Sequence, residues 1–542
     1  MRFISALLVA ASTAAAQVPV DEHVHNATTA APLRIHGLQG FLDYESGQAP
    51  SATLPVSLVS LHAEAEPASA LRSHQTAGRR IDINWELLDA LDAAGSGRAS
   101  LTLLDGRTIE LAFVRAEQHG PRRTTWFGQI AGIPASDFIL SRVDSTLRLI
   151  LRDYENRERW EIHFVPESVA APAGHALRAS SSMAEGANFC GTDSTTRPSP
   201  PDHESPQGSY GDRSVTDPYF RLDAMFVATN DCLVFLGGES AVWAEVEVLV
   251  GDFNLVNSNV GMDFGIRVVG VTASSGYNEA AEGGTDLERL RLANDGFLDG
   301  VHGTRDLVRA DIVCLLRRSS WGGGSTLGVA NRANSENTNP TEGFSVTAVN
   351  QGAPERTFTH EIGHNLGACH DVAQGACSNP LLAGINGYRH SCNIGCNLWW
   401  RDRMAYNSAD RCPDGDFALP IFSDPNIVIS GGPLCGSFAM GDTDANIRNM
   451  LLTSRTIMTQ WRTGSTQVWA HPWNQNGGDG SYYRPFGRFY NAVANVAGGV
   501  SEGRVRVLGG VVFQDTAGAG GAVVYRTPCL VQLEGPTSAV VR

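Results

Sequence analysis

The sequence predicts a mixed α/β (α+β) domain with a twisted sheet and a histidine-bearing helix, preceded by a β-rich domain and followed by a short β-rich segment. Three observations predict this. Strand-like and helical apolar patterns alternate between Arg221 and Leu316, the mark of a sheet with helices packed on it. The preceding residues alternate with period two around turn signals and contain no cysteine before Cys190. The third is the stretch from His360 to His370, which reads H-E-x-x-H-x-x-G-x-x-H.

Taken in order, the chain opens with Met1-Arg2, an apolar run from Phe3 to Ala16, and the small residues Ala14-Ala15-Ala16 before Gln17. One positive charge, a short apolar core and a small-residue cleavage site predict a secretory signal peptide over 1–16, and hence an exported, extracellular protein. No later run reaches the roughly 18 apolar residues of a membrane span. The net charge of −16, without a long basic run, argues against nucleic acid or an anionic membrane as partner. A chain of 542 residues is too long for one ordinary core.

Residues 17–190 read as the β-rich domain. Ala99 to Leu111 predicts a hairpin turning at Asp105-Gly106, and 124–130 and 145–151 predict further strands. Residues 191–217 shift to Ser, Pro, Gly and Asp, including Arg197-Pro198-Ser199-Pro200-Pro201, and read as an exposed linker of the kind proteases cut.

Residues 218–462 form the α/β unit. Strands are expected at 221–229, 264–271 and 310–316. Helices are expected at 241–260, with Val242, Val246, Leu249, Val250 and Phe253 on one face, and at 286–298. The histidine helix is expected to start near Thr357. Residues 463–542 are set off by Gly477-Gly478-Asp479-Gly480-Ser481. Around 504–512 and 522–525 they suggest either the first turns of a parallel β-helix or a plain accessory β-segment.

The chemistry is concentrated in the histidine motif. Four residues apart on a helix, His360 and His364 project from one face and can hold one zinc ion. Gly367 can end the helix in a left-handed conformation and carry His370 back as third ligand. Glu361 is adjacent, placed to take a proton from water at the open fourth position without being a ligand. Three protein ligands describe a catalytic rather than a structural zinc.

Five of the ten cysteines, Cys369, Cys377, Cys392, Cys396 and Cys412, crowd the region after the helix. In an oxidising compartment they read as disulfide staples; the spacing of Cys392 and Cys396 leaves a second metal as the alternative.

The motif resembles the zinc signature of the metzincin metallopeptidases. Asp371 and the flanking segments most resemble the reprolysin (adamalysin) branch and the bacterial peptidyl-Asp metallopeptidases. The resemblance implies a methionine turn beneath the metal, which Arg401-Asp402-Arg403-Met404-Ala405-Tyr406-Asn407 matches with Met404. It also implies that the β-rich domain is a propeptide, and that Ile421 to Pro425 and Asp444 to Asn449 close the catalytic domain. In Asn188-Phe189-Cys190-Gly191, Cys190 resembles a cysteine switch, a thiolate ligand keeping a zymogen latent; a disulfide to the catalytic domain is the alternative. Arg401 and Arg403 lie where such enzymes build the pocket for the residue after the cut, and would select acidic side chains unless they are surface charges.

The function expected is that of a secreted zinc endopeptidase made as a zymogen, acting on proteins or peptides. Two other classes compete: a zinc-holding binding protein without catalysis, against which the intact Glu361 argues, and a polysaccharide-binding protein built on the C-terminal segment.

Overall fold

A computed structural model describes residues 56–180 and 220–459, apart from short gaps, together with short strands at 33–35, 467–470, 502–507 and 530–534. The expected signal peptide and linker, and Cys190, lie outside the described residues.

The first unit is a nine-stranded antiparallel sheet: β1 (Val59–Ala65), β2 (Gln75–Ile83), β3 (Gly97–Thr102), β4 (Thr108–Gly120), β5 (Arg123–Ile130), β6 (Ser136–Val143), β7 (Thr146–Asp153), β8 (Glu158–Val165) and β9 (Gly174–Ser180). Their order is β1-β2-β9-β8-β7-β6-β5-β4-β3. The sheet curls until its edges meet, with Leu58 N donating to Ser100 O at 2.8 Å and Ser100 N to Val56 O at 2.9 Å. The expected hairpin is β3–β4, with Gly106 at φ +88°. Helix α1 (Trp85–Ala94), capped by the Asn84 side chain, packs Leu88 and Leu91 against the interior.

Alternation in these strands is complete on both sides. Trp126, Phe138, Leu140, Leu149 and Leu151 fill the barrel, whereas Phe127, Ile139 and Ile150 point outward and are equally buried. A strand buried on both faces needs cover outside as well as inside.

The second unit is a five-stranded sheet of β10 (Phe220–Thr229), β11 (Phe264–Ser274), β12 (Ile312–Arg317), β13 (Gly328–Ala330) and β14 (Phe344–Ala348), in the order β11-β10-β12-β14-β13. It is parallel except for the antiparallel edge strand β13. Helices α2 (Asn230–Leu236), α3 (Glu239–Asn259), α4 (Gly283–Arg291), α5 (Gly300–Val308) and α6 (Pro354–Asn365) flank it. Leu222, Ala224, Phe226 and Cys314 face α3 and α6; Met225, Val227, Val313 and Leu315 face α4 and α5.

The helix expected over 286–298 stops at Arg291. Asn294 at φ +67° and Gly296 at φ +88° leave the helical region, so the apolar spacing beyond it belongs to a loop. Helix α6 begins three residues earlier than expected, at Pro354, whose fixed φ and missing N–H suit a first helical position.

All but four of the 21 residues of α3 are buried. One face lies on the parallel sheet, as the apolar spacing predicts; the opposite face, through Val248 and Leu255, lies on Phe127, Ile139 and Ile150 of the barrel. A helix with apolar residues on two opposite faces must be covered on both.

Two further strand pairings involve the flanking strands. Leu33–Ile35 runs parallel to Asp424–Ser430. Gln467–Ala470, Glu502–Val507 and Leu530–Glu534 pair in parallel with one another.

Candidate metal centre and active site

Helix α6 places His360 and His364 one turn apart, and its C-terminus delivers the third histidine. Gly367 has φ +103°; Ala368 N donates to Gly363 O and Gly367 N to His364 O, each at 2.9 Å. These paired bonds satisfy the last carbonyls and reverse the chain into the short strand Cys369–Asp371. His370 consequently meets the helix. The Nε2 atoms of His360, His364 and His370 lie 3.0–3.1 Å from one another, all three residues buried.

The opposite ring nitrogens are committed. His360 Nδ1 donates to Arg403 O at 2.7 Å and His364 Nδ1 to Ala368 O at 2.8 Å, which leaves their Nε2 lone pairs turned inward. Burial, then the neighbouring imidazoles His370 and His360, hold the His364 pKa well below its usual value, so its ring is neutral. Imidazole nitrogens whose lone pairs converge repel unless a cation lies among them. A tetrahedral zinc with bonds of about 2.0–2.1 Å sets its ligands about 3.3 Å apart, close to the observed spacing. The donor set fits zinc, and these three histidines are the metal-holding cluster among the described residues.

Glu361 is fully buried and shares a small cavity with Arg356, Thr357, His360, Arg401 and Arg403. Its Oε1 lies so near Gly328 of the edge strand that a Cβ there would collide with it. Met404 is fully buried, its sulfur against Gly363 of α6.

Three features of the methionine turn were not read from sequence. Asp402, fully buried, accepts Met404 N at 3.0 Å and Ala405 N at 2.9 Å on Oδ1, and Ser423 N at 2.8 Å on Oδ2. Burial pushes its carboxyl up to about 7, against the lowering pull of these backbone groups. Tyr406 packs its ring 4.1 Å from that of His370, and its N–H donates to Asp371 Oδ2 at 3.1 Å. Asp371, noted in the sequence only as the residue after the third histidine, also pairs with Arg389 at 3.0 Å.

Arg401 and Arg403 are not surface charges; they are 5% and 3% exposed. Arg401 Nη1 donates to Ala405 O at 3.0 Å. Arg403 is committed inward, Nη1 to Ala418 O at 3.2 Å and Nη2 to Asp252 Oδ1 at 2.9 Å. Arg356, one turn before His360, joins them in the cavity, and sequence reading passed over it. The signal was available: position 356 is four residues ahead of His360 on the same helix.

Of the cysteines, Cys232 and Cys314 are buried, and burial pushes the Cys314 thiol up to about 12. Cys369 and Cys392 are each disulfide-bonded. Cys377, Cys396, Cys435 and Cys529 lie outside the described residues, as does the side chain of Cys412.

Residues 219–413 match a reprolysin model described as metallo-peptidase family M12. This stretch is a reprolysin-like metallopeptidase domain. Zinc is the ion such domains use, in agreement with the donor set. Similar proteins include a peptidyl-Asp metalloendopeptidase of Stenotrophomonas maltophilia strain K279a, 31% identical over 236 residues, which are 44% of this chain and 52% of that protein. One of Xanthomonas campestris pv. campestris is 32% identical over 219 residues, 39% of this chain and 46% of that protein. The chain spans about half the length of these curated relatives.

Proposed function

We propose that this protein is a secreted zinc endopeptidase made as a zymogen. The carrying observation is the convergence of three imidazole Nε2 atoms within 3.0–3.1 Å, with the buried Glu361 next to the first of them and sharing a cavity with it. Zinc bound there supplies Lewis acidity, which polarises a scissile carbonyl and makes nearby water a better nucleophile. His360, His364 and His370 hold it through Nε2. Glu361 takes the proton from the attacking water on its carboxylate and returns it to the departing amine. Met404 and Asp402 support the histidines from below.

The same cavity carries a specificity reading. Arg356 and Arg401 face the position after the scissile bond and select an acidic side chain there by charge-assisted hydrogen bonds. The relatives named for cleavage at aspartate support this preference. Arg403, its two terminal nitrogens already donated, serves the framework rather than the substrate.

In the zymogen, Cys190 lies before the Pro-rich linker and serves as the fourth zinc ligand until the linker is cut. Cleavage-site profiling on a peptide library, with and without chelator, tests the whole reading. Chelator-sensitive cutting before Asp or Glu is expected; chelator-independent cutting overturns it.

A further inference from the structure

The outer face of the barrel carries charges that a free domain would turn to water, yet here they are buried against the metallopeptidase domain. Arg152 of β7 is fully buried; its Nη1 lies 2.6 Å from Asp252 Oδ1 of α3 and 3.7 Å from Glu355 Oε1 of α6. Arg159 of β8 grips Glu355 with both terminal nitrogens, at 2.6 and 3.1 Å. Arg148 of β7 pairs with Glu245 of α3 at 2.7 Å, and Glu247 accepts from Thr125 at 3.3 Å and from Ser141. Three arginines of the barrel thus meet three carboxylates of α3 and α6. Around them lie Phe127, Ile139 and Ile150 against Val248 and Leu255, with Ile139 so close to Gly251 that a Cβ there would stand 3.1 Å from it.

The contact also leads to the metal site. Asp252 Oδ1, paired with Arg152, takes Arg403 Nη2 at 2.9 Å, and its Oδ2 takes the Thr359 hydroxyl at 2.8 Å. Thr359 adjoins His360, and the Arg403 carbonyl receives His360 Nδ1. Removing the barrel would take Arg152 from Asp252, leaving it Arg403 alone, take Arg159 from Glu355, and bare the second apolar face of α3. Truncating one arginine with the barrel in place instead leaves its carboxylate buried and short of a partner, which is strongly destabilising.

We infer that the barrel, residues 56–180, stays on the metallopeptidase domain as a non-covalent subunit after the linker is cut, and that Arg152 is a positioning residue of the metal site. From the proposed function this takes only the processing of the linker. The barrel is then not a leaving propeptide. What cutting frees is the Cys190 segment, while the folded barrel remains as part of the working enzyme.

The test uses the full chain with a site-specific protease sequence placed within 201–210, in the Glu361→Ala background so that its own peptidase activity does not enter. After cutting, size-exclusion chromatography in about 1 M NaCl, where the Debye length is about 3 Å, asks whether the two parts co-elute. Competition with a chromophoric chelator measures zinc affinity. The expected result is co-elution, with zinc held as in the uncut chain. In uncut protein, Arg152→Met should weaken zinc binding about ten-fold or more, and Arg152→Lys should recover most of it, a rescue that a general packing defect would not give. If Arg152→Met does not fold, Arg159→Met, which removes both short bonds to Glu355 and one to Glu161 but leaves Asp252 its partners, should make the cut parts separate. A barrel that separates from a domain still holding its zinc overturns the inference, as does an Arg152→Met protein, or in its place an Arg159→Met one, that behaves like the parent. Failure of the parent to bind zinc at all would instead strike at the proposed function.

Discussion

His360 Nδ1 lies 2.7 Å from the backbone oxygen of Arg403. This bond makes the methionine turn an outer partner of a metal ligand, because it fixes which ring nitrogen faces the ion. The turn keeps its shape through Asp402, whose carboxylate receives the N–H groups of Met404, Ala405 and Ser423. Asp402→Ala leaves three buried donors without an acceptor, at about 1–3 kcal/mol each before relaxation. A loss of about 3 kcal/mol in unfolding free energy is expected, with weaker zinc binding. Denaturant titration and chelator competition check both.

Glu361→Ala should keep zinc and lose peptidase activity by at least about 10²-fold, the lower range for a general base. His364→Ala should lose zinc and activity together. Metal analysis beside a casein assay separates the two; an active Glu361→Ala protein would remove the mechanism.

Specificity should follow the guanidinium groups of the cavity. Arg401→Ala or Arg356→Ala should reduce kcat/KM for substrates with Asp after the cut by about 10–100-fold, as expected for losing a charged hydrogen bond of about 1.5–3 kcal/mol. Substrates with a neutral residue there should change little. Equal loss on both kinds would assign these arginines to the framework.

The proposed switch makes latency a property of Cys190. Cys190→Ser should give a full-length protein that cuts substrate without processing, and mercurials should activate the wild-type precursor. A silent Cys190→Ser precursor would exclude the switch.

Stability should fall on the acid side. Asp252, Glu355 and Glu161 are buried, which alone would raise their pKa values. Arg403 and Arg152 at Asp252, Arg159 at Glu355, and Arg159, His163 and Arg148 at Glu161 outweigh that and lower them. The unfolded chain then binds protons first. Their contribution is fully present above the ordinary carboxylate range, near about 4, and is lost as pH falls through the lower folded values. Urea midpoints should drop steeply below about pH 4; between about pH 7 and 5 these three groups contribute no change, while the raised carboxyl of Asp402 adds stability on acidification and the lowered His364 removes it. A midpoint that rises as pH falls below about 4 would contradict the sign.

The metal site was largely legible because its information is local. His360, Glu361, His364, Gly367 and His370 stand at offsets that one helix and one left-handed turn convert directly into geometry. Met404 was legible only through a resemblance. The partners of the turn were not, since Asp252 lies 151 residues before Arg403 and no spacing links them. The run Val248-Leu249-Val250-Gly251-Asp252-Phe253 does carry a hint, because a carboxylate flanked by apolar residues in a buried helix must find a counter-charge. It does not say where. Four of the nine strands of the β-rich domain were read from sequence, but its docking was not, because two-sided burial looks in sequence like ordinary apolar content.

The two apolar sides of α3 also bear on the order in which the chain acquires structure. The barrel precedes the helix in sequence, so during synthesis the surface that will cover its second side is made first. A helix of this composition, exposed alone, would seek any apolar neighbour, including another copy of itself. Here the first such neighbour it meets is its own.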